Sequence, residues 1–199
     1  RRISKVCKEN NMNIFYLHED PIQNAKWHID KHIVKMPIEY AQLMSTAHRM
    51  LDGEMYLGKT ENNRKIKRWR LNDERESILY KASHINHPSA IWVRQSIENY
   101  YQMYKLYMAT LAEYTYRYGK IHGSTKPSIA LIRPPKNIPN IKGTQVPQCM
   151  PEICKVKFNP ILAYRNYYIV EKNSFASWKN REIPEWYQTK DIMNTWADV

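Results

Sequence analysis

Four residues in one stretch have the types and spacing for proton transfer and covalent chemistry: His28, His32, Lys35 and Glu39. Their intervals of four, three and four place them on one face of a helix, and Gln42 and Thr46 continue the stripe. On the same helix Ile29, Ile33, Met36, Tyr40, Leu43, Ala47 and Leu51 make an apolar face that must be buried, with the stripe beside it. A polar group at the border of a core is desolvated enough to shift its pKa while a substrate can still reach it. Lys35 and Glu39, one turn apart, can pair, and the His32 imidazole, which titrates near neutrality, can relay a proton beside them. The chemistry on offer is attack by an amine assisted by a carboxylate; the competing reading is a solvated flank of ordinary ion pairs. His28, His32 and Glu39 could also converge on zinc, but the H-E-x-x-H pattern is absent, and neither a metal nor a cofactor is expected.

Three further groups have the chemistry of nucleic-acid contacts. Ser83-His84-Ile85-Asn86-His87-Pro88 opens a long helical pattern, where free backbone N–H groups and the dipole favour an anion such as a phosphate; the plainer reading is that Asn86 or His87 only caps the helix. Arg94 follows on that helix, and its far end carries Arg117, Lys120 and His122 in RYGKIHGS, further candidate phosphate contacts. Residues 58–70, GKTENNRKIKRWR, hold six basic side chains and one tryptophan. The expectation is a mobile basic loop in which Lys65, Lys67 and Arg68 meet phosphates and Trp69 stacks on bases, with a solvated insertion as the alternative.

The elements that must position these groups follow from periodicity and punctuation. Asp20-Pro21 supplies an N-cap and a first-turn proline, and the helical pattern runs to about Leu51, where Asp52-Gly53 ends it. Pro37 lies inside and should kink this first helix. A second helix runs from His87-Pro88 to Gly119, with Ala90, Val93, Ile97, Tyr100, Tyr104, Tyr107, Leu111, Tyr114 and Tyr118 on one face. The tyrosines are read as core residues rather than as a stacking platform. A third helix is expected from Pro160 to about Lys172, and Met12–Leu17 reads as a short strand. Six prolines between residues 120 and 158 indicate an arm laid over the helices, and Pro184-Glu185-Trp186-Tyr187 a docked turn. The expected fold is therefore mainly α: a compact bundle of about three long helices, a short N-terminal strand and a long proline-rich irregular arm. Residues 1–11 read as an appendage and 12–199 as a single domain.

The formal charge of +12 and pI near 9.5 give a field that attracts polyanions. The expected partner is nucleic acid, double-stranded DNA first, rather than a membrane surface or an acidic protein. Cys7, Cys149 and Cys154 form no C-x-x-C pair, which indicates neither a disulfide framework nor a zinc ribbon and suits a reducing compartment. No stretch approaches the roughly 18 apolar residues of a membrane span, and no signal-peptide core opens the chain. A soluble, cytoplasmic protein is expected; the oligomeric state is left open.

Asp30-Lys31-His32 followed seven residues later by Glu39 resembles the first helix of the phage pyrimidine-dimer DNA glycosylases, the endonuclease V family, with its Asp-x-His and catalytic Glu. Asn86-His87-Pro88 opening a helix that ends in Tyr116-Arg117-Tyr118-Gly119, and the closing Pro184-Glu185-Trp186-Tyr187, are similar to further short motifs of that family in the same order. The string DKHIVKM-x2-E-x-AQ also looks like uncharacterised phage proteins carrying the same glycosylase name. The resemblance implies a compact helical DNA-bending fold that cleaves an N-glycosidic bond, with AP-lyase activity, through an amine and Glu39, and with His32 as a backbone or substrate contact. The family's amine is that of its processed N-terminus. Here eleven residues precede Met12, so the role passes to Lys35 unless Asn13 becomes the terminus. Gln42 and Ser45 replace arginines that follow the family's glutamate. A base-acting DNA enzyme is thus the first expectation; a non-catalytic nucleic-acid-binding protein and a phage-type enzyme that modifies bases or nucleotides are the alternatives.

Overall fold

The computed structural model describes residues 12–189, so the expected appendage, Cys7 and Trp196 lie outside the described residues. Among those described are eight α-helices and one two-stranded antiparallel sheet. This corrects the expectation of about three long helices. Only α2 (Asp30–Asp52) and α5 (Ile97–Tyr118) are long, α7 (Pro160–Glu171) is intermediate, and the others are short.

Each long helix predicted from periodicity is cut once. The first divides into α1 (Pro21–Trp27) and α2 at His28-Ile29, both in extended conformation. The side chain of Asp20 caps α1, and the imidazole of His28 folds back to donate to the Asn24 carbonyl at 2.8 Å. Asp30 N–H then donates to Ser177 O, so the C-terminal segment fills the break. The second divides into α4 (Pro88–Gln95) and α5 at Ser96, whose hydroxyl accepts from Asn99 N–H while Ile97 N–H donates to Pro139 O in the proline-rich arm. Both cuts preserve the apolar period, which is why spacing alone does not show them. Gly119 at φ 64° closes α5 in the left-handed conformation that a glycine adopts without a Cβ penalty.

Two further elements differ from expectation. Met12–Leu17 is extended but belongs to no strand; Phe15 and Leu17 are buried, and Leu17 N–H donates to the Asn24 side chain. The basic segment is not a loop but an antiparallel hairpin, β1 (Glu54–Lys59) and β2 (Lys65–Arg70), pairing Met55 with Trp69, Leu57 with Lys67 and Lys59 with Lys65. Asn63 at φ 59° turns its tip, a left-handed conformation that asparagine tolerates.

Central helix α2 packs against α5 and α4, while α1 lies on α5. Tyr40, Tyr100, Tyr107, Tyr164 and Tyr168 are fully buried, and each hydroxyl has a partner: the His28 ring, the carbonyls of Leu131, Ser124 and Pro147, and the His32 ring. Pro37 has no N–H to offer Ile33 O, and one residue along Val34 O accepts from His122 Nε2 at 3.0 Å. No helix among the described residues is long and apolar enough to cross a membrane.

Candidate nucleic-acid interface

The upper half of the α2 stripe is internal. Burial of α2 on more than one side accounts for this: Phe15 of the N-terminal segment stacks on His32 at 3.9 Å, and Tyr168 of α7 bonds His32 Nδ1 at 2.7 Å. Desolvation, reinforced by the neighbouring charges, holds His32 well below the usual imidazole range. His28 is fully enclosed between Asn24 O and the Tyr40 hydroxyl, and burial lowers its pKa to about 4. Both rings are therefore neutral packing residues near neutral pH, and neither faces a substrate.

Lys35 and Glu39 do meet, at 2.8 Å, with the lysine side chain 56% exposed and the glutamate only 8%. Burial raises the Glu39 pKa against the opposing hydrogen bond and charge of Lys35. Its second oxygen, Oε2, is buried without a hydrogen-bond partner. Gln42 is half-buried, and Thr46 is buried and bridged to Ser83 through both its backbone groups, at 3.2 and 3.3 Å.

That bridge ties the far end of the stripe to the second polar cluster. There Lys67 and Trp69 of the hairpin face Ser83, His84, Asn86 and His87 across a cleft of about 490 Å³. His84 is held at φ 49°, a strained conformation for a residue with a Cβ. His87 caps α4 by accepting from Ser89 N–H at 3.2 Å, and burial, then the neighbouring His84, lower its pKa. Asn86 and His84 are exposed. One wall of the cleft thus carries an ammonium and an indole, and the other carries polar side chains and the positive end of α4.

The cleft is positioned by Arg49, which sequence reasoning missed. Its guanidinium is 2% exposed and places all five donors: on Tyr80 O, Trp69 O, the Glu76 carboxylate, Glu76 O and Leu79 O, at 2.6 to 3.2 Å. One side chain from α2 therefore fixes both the base of β2 and the chain leading to residue 82. Gly53 makes the turn possible, since a Cβ there would meet Arg49 O at 2.5 Å and Arg70 O at 3.0 Å. An arginine on the inward side of an otherwise apolar helix gave no spacing signal.

The other expected contacts lie elsewhere. Lys65 is exposed at the distal end of β2, and Arg68 lies on the opposite face of that strand, over Gly58. Arg94 is half-buried on α4, with Nη1 lacking a hydrogen-bond partner. Arg117 is inside the fold, its donors taken by Glu113, Asp30 and Lys26 O, so it has no face to offer a phosphate. His122 caps the 3-10 turn Gly123–Thr125 and bonds Val34 O, about 18 Å along α2 from Thr46 at 1.5 Å per residue. Lys120 is exposed near it.

A second cavity, of about 470 Å³ and also missed, is walled by Tyr16, Trp92, Tyr101 and Met103 and carries Glu19 and Glu98. Its carboxylates disfavour a polyanion. Among the described residues no cluster of three or more His, Cys, Asp or Glu side chains is placed to hold a metal ion. A comparison with protein-family models, with curated proteins and with solved structures finds no match to this chain.

Proposed function

We propose that the protein binds nucleic acid through the cleft between the β1–β2 hairpin and the start of α4. The observation that carries this reading is the convergence of Lys67, Trp69, His84, Asn86 and His87, from two separate sequence segments, on one cleft. Cations on a hairpin neutralise phosphates, an indole stacks on a base, and a helix N-terminus accepts an anion. The charge of +12 adds long-range attraction. The test is fluorescence anisotropy of a labelled duplex across a salt series. Wild type should bind with a steep fall in affinity as salt rises, and Lys65→Ala, Lys67→Ala and Arg68→Ala together should reduce the slope of log K against log salt by about three. Binding that is absent, or indifferent to salt and to these substitutions, would refute the reading.

A second reading, a base-acting enzyme of the glycosylase and AP-lyase type, is favoured by one observation: the buried, unpartnered Oε2 of Glu39 beside the Lys35 ammonium. A carboxyl so placed can stabilise a cationic sugar while an amine attacks C1′ and forms an imine. Borohydride reduction in the presence of DNA containing abasic sites tests it. A covalent adduct that disappears in Glu39→Gln supports the enzyme; no adduct, or one undiminished in that variant, rejects it. His28 and His32 take no part in this reading.

A further inference from the structure

Pairing across the hairpin sorts its side chains into two unlike faces. One carries Met55 and Trp69 at the base, Leu57 and Lys67 in the middle, and Lys59 and Lys65 toward the tip. The other carries Tyr56 with Arg68 across from it, and Arg70 lies over the Tyr56 ring at 5.2 Å. Leu57 is 67% exposed and Met55 53%, in a segment with six basic residues against two acidic ones. Only the base of the hairpin is anchored, by Arg49 to Trp69 O and by buried Leu71, while the tip is closed by bonds among Thr60, Asn63 and Arg64.

We infer that this hairpin is an arm that enters the minor groove of duplex DNA and presses Leu57 into the base stack as a wedge. This rests on the proposed nucleic-acid reading and specifies its partner and mode. An exposed leucine among lysines makes poor sense in water, since it adds apolar surface and no core contact. Against a duplex the same arrangement has a use: lysines reach phosphates on either side of the groove while the apolar tip unstacks a base step. The leucine face holds no arginine, asparagine or glutamine that could make the paired hydrogen bonds of major-groove reading. The arginines lie on the opposite face or at the tip. An arm so composed distinguishes duplex from single strand by shape and bends what it binds, with little preference for sequence. Undistorted, the minor groove is about 6 Å wide, so a two-stranded arm must open it, which is the work a wedge does.

The test uses the full chain with a short duplex labelled at both ends for energy transfer, and anisotropy on the same duplex. Wild type should bind and shorten the end-to-end distance. Leu57→Ala removes no charge and touches no core residue, so it should keep the wild-type salt slope, weaken binding about tenfold, the scale of a few kcal/mol of unstacking and its compensating contacts, and abolish the shortening. Leu57→Met, which retains a wedge, should restore the bend, and Lys67→Ala should lower the salt slope by about one. Binding without bending, a Leu57→Ala protein indistinguishable from wild type, or equal affinity for single strands would overturn the wedge while leaving nucleic-acid binding in place. No binding of any nucleic acid by wild type would overturn both.

Discussion

Replacing Arg49 by methionine is the sharpest test of how the interface is built. The side chain is buried and all five donors are used, so the substitution leaves the carbonyls of Trp69, Glu76, Leu79 and Tyr80 and one carboxylate without their partner. Breaking one side of a buried, hydrogen-bonded charge typically costs roughly 3–5 kcal/mol. The Glu76 side chain is 45% exposed and keeps a bond from Leu71 N–H, so the cost should fall near the lower end, about 3 kcal/mol. For a chain of this size that lowers the melting temperature by about 6–12 °C. Scanning calorimetry reads the fall, and hydrogen exchange locates it: amides of residues 54–70 should lose protection before those of α5. Lysine at this position, a compact ammonium with three donors, should recover only part of the loss. A melting point within about 2 °C of wild type, or a hairpin as protected as before, would show that the guanidinium does not hold the arm.

Two predictions concern pH. His28 and His48 are both lowered to about 4, chiefly by burial, and His48 is locked between the Arg75 guanidinium and the Tyr100 hydroxyl. A depressed folded-state value means that stability is complete above the unfolded value near 6.5 and is lost as pH falls toward 4, about 3 kcal/mol per ring at the bottom of that window. Urea melts at pH 7, 5.5 and 4 should show this, and His48→Gln should flatten the dependence; an unchanged midpoint from pH 7 to 4.5 would contradict it. Glu39 has the opposite sign, because burial raises its carboxyl: its ionised form costs stability above the folded value. Glu39→Gln should therefore gain up to about 1 kcal/mol at pH 7.5 and nothing at pH 4, and a loss at neutral pH would count against the assignment.

Much of the helical content was legible because apolar residues recur at helical intervals. The third helix was expected from residue 160 to about 172 and runs from Pro160 to Glu171, and the glycine stop at 119 lies where it was read. The breaks at His28 and Ser96 were not legible, since an extended residue or two can redirect a helix without disturbing the order of apolar positions. The hairpin was missed because six basic residues outweighed the alternation in Lys65–Arg70 that the pairing of β1 and β2 makes plain. The stripe on α2 was read correctly as one face and incorrectly as a border. Its angular distance from the apolar centre was right, but Phe15 and Tyr168 arrive from distant segments to cover it. Grouping Lys67 and Trp69 with His84 to His87 needed the tertiary role of Arg49, for which periodicity has no mark.

Pro37 falls between the two members of the Lys35–Glu39 pair. The rung the proline omits is spanned by an ammonium and a carboxylate one turn apart, so a side-chain strap bridges the gap in the backbone ladder. Such a strap slackens with ionic strength or acid while the flanking turns do not. Flexure of α2 would then be concentrated at one vertebra, and the chemical conditions that release it are those that free the Glu39 carboxyl from its cation.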